Sequence, residues 1–198
     1  MRSAVLIPVK SFAVAKSRLG ASLSGPDRQQ LARQLAEAVV EVARAAAGED
    51  RVVVASDDEQ VLNWAELLGI GHERVPPGLN AAVDAGRILL GSSCERIVVT
   101  HADLAQPWAL ADVIGDENWV IVPDRHGLGT NVLALPANSA FQTRYGDGSY
   151  PLHLAEASRC GLTLDVWDQT ALSWDVDVEA DLAGISGITS PDAVGGAR

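Results

Sequence analysis

Short, unbroken apolar runs that alternate with amphipathic stretches constrain this chain most. Residues 4–9 (Ala4-Val5-Leu6-Ile7-Pro8-Val9), 52–55, 96–100 and 119–122 are near-continuous in apolar or β-branched side chains. That is the pattern of strands covered on both faces. Behind the first run, Leu31, Leu35, Val39 and Val42 recur at helical spacing across residues 27–46, with Asp27 as N-cap after Ser24-Gly25-Pro26. Ser56-Asp57 caps a second helix that runs through Leu68 and ends at Gly69 and Gly71. Residues 73–75 read as a strand, Pro76-Pro77-Gly78 as a loop, 80–90 as a third helix and 107–114 as a short fourth. Repeated strand–helix units predict a three-layer α/β domain with a mainly parallel sheet, right-handed crossovers and ligands at the carboxyl ends of the strands.

The rhythm breaks after residue 122. A strand over 130–135 follows too closely for a crossover helix, so local antiparallel pairing and a mixed sheet are expected. Residues 149–160 read as a helix ended by Gly161, 164–167 as a strand and 178–183 as a short helix. A chain of 198 residues suits one domain, assigned to residues 1–185, with a flexible Gly-rich tail over 186–198.

Fifteen Lys and Arg against 26 Asp and Glu leave a net charge of −11, which opposes nucleic acid and anionic membranes as partners. No apolar run approaches the roughly 20 residues needed to cross a bilayer. Small-molecule partners are expected, and Cys94 and Cys160, without metal-ligand spacing, fit a reducing cytoplasm. Against this acidic background Lys10 and Lys16 are the only lysines, and with Arg18 they place three cations within nine residues behind the first strand. A mobile ammonium and a forked guanidinium together suit a polyphosphate. Neither G-x-x-x-x-G-K-[ST] nor a G-x-G-x-x-G after the first strand is present, which turns the reading away from P-loop and standard dinucleotide folds.

Carboxylates supply the second signal. Asp103, in Thr100-His101-Ala102-Asp103-Leu104, stands at a strand end where it could hold Mg²⁺. Asp175-Val176-Asp177 puts two more on one face if the segment is extended. Two Gly-rich loops, Asp124-Arg125-His126-Gly127-Leu128-Gly129-Thr130-Asn131 and Tyr145-Gly146-Asp147-Gly148-Ser149, expose amides able to bind anions, the second at a helix start. His153 reads as a packed or capping residue, and Trp64 and His72 as structural.

Taken in order, the opening Ile7-Pro8-Val9-Lys10 with Ala15-Lys16-Ser17-Arg18-Leu19, then Gly78-Leu79-Asn80-Ala81-Ala82, Ala102-Asp103-Leu104, each of the two Gly-rich loops, the second with His153, and Asp175-Val176-Asp177 form six blocks. Together they resemble the 2-phospho-L-lactate and phosphoenolpyruvate guanylyltransferases of coenzyme F-420 biosynthesis, from residue 4 to about residue 183. The resemblance implies a Rossmann-like GT-A nucleotidyltransferase fold. It further implies transfer of GMP from GTP to a small phosphorylated carboxylic acid, phosphoenolpyruvate favoured or 2-phospho-L-lactate, with release of pyrophosphate. On this basis Lys16, Arg18 and Asp103 are catalytic, and Pro8, Lys10, Lys16, Arg18, Gly78 and Asn80 surround the nucleotide. Thr130, Gly146 and Ser149 take the acceptor with Arg125 or His126 nearby, and Asp103, Asp175 and Asp177 hold Mg²⁺. The family usually has Pro soon after the Asp-Leu pair, whereas Ala105-Gln106-Pro107 delays it by two residues and displaces the helix start beside Asp103. Two alternatives stand beside this reading. One is a nucleotidyltransferase of the same fold acting on a molybdenum cofactor or sugar phosphate, which usually carries a Gly-rich first loop. The other is a non-catalytic nucleotide-binding protein. A homo-oligomer is left open.

Overall fold

The computed structural model describes residues 2–168 and 170–185. The tail expected over 186–198 lies outside the described residues. Seven strands, β1 (Ser3–Pro8), β2 (Val52–Ser56), β3 (Gly71–Arg74), β4 (Arg96–Thr100), β5 (Val120–Pro123), β6 (Thr130–Pro136) and β7 (Asp165–Val166), form one sheet in the order β3-β2-β1-β4-β6-β5-β7. In the parallel part, Leu6 of β1 lies opposite Val53 on one side and Val99 on the other. As expected from the short connection, β6 pairs antiparallel with β5; it also inserts beside β4, again antiparallel. The sheet is therefore mixed, with β7 parallel to β5 at its edge.

Strand alternation builds the three layers. Val5, Ile7, Val52, Val54, Val98 and Val132 face one side, against α1 (Gly25–Ala47), α2 (Glu59–Leu67) and α4 (Leu110–Gly115). Ala4, Leu6, Ile97 and Val99 face the other, against α3 (Leu79–Leu90), and Ile121, Leu133 and Leu135 meet α5 (Ser149–Arg159). A Cβ on Gly86 would stand 2.5 Å from Leu6 Cδ1, so α3 lies close on β1 and a larger residue there would have to displace the Leu6 side chain. Among the described residues no helix is long and apolar enough to cross a membrane.

Helix starts differ from expectation for local reasons. Ser24, not Asp27, is the N-cap of α1: its hydroxyl accepts the Asp27 amide at 3.3 Å and donates to the Asp27 carboxylate. Asp58, not Ser56-Asp57, caps α2 by accepting the Gln60 and Val61 amides. Ser56 is still in β2 and its hydroxyl donates to the Val9 carbonyl at 2.7 Å. That leaves Asp57 between strand and helix with no capping duty. The delayed Pro107 opens a 3₁₀ turn, Pro107–Ala109, ahead of α4.

Candidate active site

The carboxyl ends of β1, β2 and β4, with the segment after β3, enclose a cavity of about 430 Å³. That is within the usual size of small-molecule sites, roughly 300–1,000 Å³. Pro8, Lys10, Lys16, Arg18, Gly78, Asp103, Asp175 and Asp177 all line it, so most of the expected nucleotide and metal residues meet in one place.

The loop after β1 is pinned at both ends by apolar side chains. Phe12 meets Trp64 edge to face at 5.3 Å, and Leu19, closing a 3₁₀ turn, packs with Leu35, Ala105 and Val176. Between these anchors Lys16 takes a left-handed backbone, φ 56° and ψ 34°, the one non-glycine positive φ among the described residues. Such a conformation costs on the order of 1–2 kcal/mol for an ordinary residue. It turns the side chain inward, 5% exposed, so that its ammonium donates to Asp103 Oδ2 at 2.5 Å and lies 3.6 Å from Asp177 Oδ1. Arg18 stays 73% exposed and reaches Asp177 at 3.2 Å.

The carboxylates are placed by a short antiparallel bridge. The Ala105 amide donates to the Trp174 carbonyl at 2.8 Å and the Val176 amide to the Asp103 carbonyl at 3.0 Å. Because the segment is extended, Val176 goes into the core while Asp175 and Asp177 face the cavity. Burial pushes the Asp103 carboxyl up, but the Lys16 ammonium and then His101 outweigh it and hold the group below its ordinary range. Asp175 is shifted upward, first by burial and then by the charges of Asp103 and Asp177.

This donor set fits a divalent cation, since all three expected carboxylates line the one cavity. Among the described residues no three His, Cys, Asp or Glu side chains stand close enough to hold one ion. Asp103 and Asp177 converge on one cation position, taken here by the Lys16 ammonium, and Asp175 lines the same cavity within reach of the Asn131 amide at 3.4 Å. Two carboxylates suffice for Mg²⁺, which usually completes its octahedron with phosphate oxygens and water.

Other expected site residues are placed differently. Asn80 does not line the cavity; its side chain donates to the Tyr145 carbonyl at 2.9 Å and accepts the Tyr145 amide at 2.6 Å, tying α3 to the Gly loop. The Arg125 guanidinium pairs with buried Asp181 and lies 4.8 Å over the Trp174 ring. His126 is exposed beside it. Asp181 in turn accepts the Asp177 and Val178 amides, so Arg125 braces the segment carrying Asp177 instead of facing the cavity. Thr130 and Ser149 are buried at 1% and 2% exposure. Ser149 Oγ lies 3.4 Å from Thr130 Oγ1, which is 3.0 Å from His153 Nδ1. They satisfy one another beneath Tyr145, and in the acceptor loop Gly146, φ 131°, and Asp147 are exposed.

His153 is the buried centre of that cluster, as its reading as a packed residue anticipates. Its Nε2 accepts the Arg144 amide at 2.9 Å, so the ring proton is on Nδ1 and points to Thr130. Sequence reasoning gave no role to two cavity residues. His101 lies 3.9 Å from Asp103 and has a buried Nε2 without a hydrogen-bond partner among the described residues, while Asp57 is an exposed carboxylate on the cavity wall. His101 was legible from its place two residues before Asp103. Asp57 was masked by its resemblance to a cap.

A mixed sheet of this order, with a cationic loop behind its first strand and carboxylates behind its fourth, defines a nucleotidyltransferase of the GT-A-like kind. The fold is shared with a nucleotide-diphospho-sugar transferase from Desulfovibrio desulfuricans G20, at TM-score 0.75 and 17% identity over 97% of this chain and 89% of that one. CMP:2-keto-3-deoxy-manno-octonic acid synthetase complexed with CTP matches at TM-score 0.57 and 11% identity, over 93% and 97%. The chain belongs to the guanylyl transferase CofC-like family, whose pattern matches residues 3–188. Phosphoenolpyruvate guanylyltransferase of Sphaerobacter thermophilus is 33% identical over 94% of both chains. 2-Phospho-L-lactate guanylyltransferase of Methanothermobacter thermautotrophicus is 35% identical over 93% of this chain and 84% of its own.

Proposed function

We propose that this protein transfers GMP from GTP to phosphoenolpyruvate in the cytoplasm, with Mg²⁺ as cofactor and pyrophosphate as the second product. The observation that carries this reading is the Lys16 ammonium held between Asp103 and Asp177 on the floor of the cavity. It marks one position where a cation is gripped by two carboxylates beside a loop of phosphate-binding side chains. The relatives named as phosphoenolpyruvate and 2-phospho-L-lactate guanylyltransferases support the donor and the acceptor class.

The chemistry asks for charge neutralisation and alignment rather than a covalent intermediate. An acceptor phosphate, with a second pKa of about 6, is already ionised near neutral pH, so no general base has to remove a proton before it attacks the α-phosphorus. Lys10, Lys16 and Arg18 hold the triphosphate and its developing charge, Lys16 exchanging its carboxylate partners for phosphate oxygens. Asp103 and Asp177 would hold Mg²⁺, which when bound would supply charge neutralisation, and Asp175 adds negative charge beside them. The exposed Gly146 loop takes the acceptor, while Thr130 and Ser149 set its shape from below.

The test is an acceptor panel of phosphoenolpyruvate, 2-phospho-L-lactate and 3-phosphoglycerate with GTP and Mg²⁺, read by mass spectrometry. A guanylylated product from phosphoenolpyruvate at the highest kcat/KM is expected. Product from 2-phospho-L-lactate in preference would move the acceptor assignment, and pyrophosphate release without any acceptor dependence would overturn the reading.

A further inference from the structure

We propose that Asp57 is the residue that selects guanine, its carboxylate accepting hydrogen bonds from the N1–H and the N2 amino group of the base. The inference rests on the reading of GTP as donor and adds to it the means of discrimination.

Three observations converge on Asp57. It stands directly after β2 on the cavity wall, two strands away from the metal-site carboxylates behind β4. It is exposed, and among the described residues its carboxylate has neither hydrogen bond nor ion pair. The neighbours that could have used it are already served: Asp58 caps α2, and the Arg74 guanidinium reaches only the Asp57 carbonyl, at 3.4 Å, while pairing with Glu59.

The surroundings then decide what such a carboxylate can bind. A free negative charge in a cavity built to hold a triphosphate repels that ligand unless some other part of it offers donors. At this end of the cavity the wall is Ala55, Val75, Pro76, Leu79 and Ala82, an apolar surface against which a flat ring can lie. The Ser56 hydroxyl on this wall is already engaged, donating to the Val9 carbonyl and accepting the Asp58 amide. Asp57 is therefore the acceptor left to read the edge of a base seated on that wall. Guanine presents two adjacent N–H donors on one edge, spaced for the two oxygens of a carboxylate. Adenine presents a ring-nitrogen acceptor there and is repelled. Hydrogen bonds to charged groups are the strong ones, so a wrong base is rejected by an unpaired carboxylate as well as by lost contacts.

The test compares wild type with Asp57→Ala and the near-isosteric Asp57→Asn, measuring kcat/KM for acceptor-dependent pyrophosphate release with GTP, ITP, ATP, CTP and 2′-deoxy-GTP. ITP lacks only the N2 amino group. Wild type is expected to favour GTP over ITP roughly tenfold or more. Asp57→Ala is expected to bring the two within about threefold, mainly by losing GTP, with Asp57→Asn between and the GTP to 2′-deoxy-GTP ratio unchanged. A ratio of GTP to ITP that survives both substitutions overturns the inference while leaving GTP as donor. So does a loss confined to the 2′-deoxy comparison, which would move Asp57 to the ribose. Preference of the wild type for ATP or CTP overturns the donor reading as well. Because each result is a ratio within one protein, partial misfolding of a variant does not imitate it.

Discussion

The two ends of the site are built on opposite electrostatic plans. Behind β1 and β4, Lys16, Arg18, Asp103, Asp175 and Asp177 crowd charges at the edge of solvent, one residue in a strained backbone and one carboxyl shifted each way from its ordinary range. Behind β6, Thr130, Ser149 and His153 form a neutral, closed cluster in which the ring proton is fixed by the Arg144 amide. At the charged end a lysine ammonium fills the place that two carboxylates define. The neutral end is complete by itself, so it supports geometry rather than charge. The division suits the proposed chemistry between two anions, which asks for adjustable charge on one side and a rigid dry base on the other.

The largest break in this comparison comes from Asp103→Asn. Turnover should fall roughly 100- to 1,000-fold, the scale for losing a charge-stabilising group. The melting temperature should move by no more than about 4 °C, since the lost pair is at the solvent edge. Steady-state pyrophosphate release and a thermal melt check both, and near-normal Mg²⁺-dependent turnover would remove the charged end from the mechanism.

Substituting the neutral end should act on stability first. Burial lowers His153 from 6.5 to about 4, with His101 adding to the effect and Glu156 opposing it. Between these values the unfolded chain binds a proton that the folded chain refuses. Stability is therefore present above about pH 6.5 and lost as pH falls toward 4, by about 3 kcal/mol in total. His153→Phe should flatten that part of a urea-midpoint profile against pH. At pH 7 it should cost about 1–3 kcal/mol, because the Arg144 amide and Thr130 hydroxyl lose their partner. An unaltered slope between pH 6.5 and 4 would show that another group carries it.

The smallest expected effect sharpens the comparison most. Ser149→Ala removes the buried hydrogen bond to Thr130, so stability should fall by about 1 kcal/mol and the acceptor KM rise by no more than about fivefold, while GTP binding without acceptor stays within about twofold. A larger loss for GTP than for acceptor would place the nucleotide over the Gly loop and exchange the two ends.

The sequence by itself determined the layers and the charged end. Continuous apolar runs and helical spacing are set by local backbone geometry, and the extended Asp175-Val176-Asp177 segment shows its faces through the same period of two. The six motif blocks also marked family and activity class, because they lie in order along the chain. What only the tertiary structure decided is which partner each polar group finds. Lys16 meets Asp103 from 87 residues away, Asn80 meets the Tyr145 backbone from 65, and Arg125 turns to buried Asp181. A polar side chain can be satisfied by many neighbours, and the choice depends on which strands the crossovers bring together. Spacing along the chain therefore announces that Arg125 is a polar loop residue and Asn80 a polar residue at a helix start, while the fold settles that they brace the site from outside its cavity.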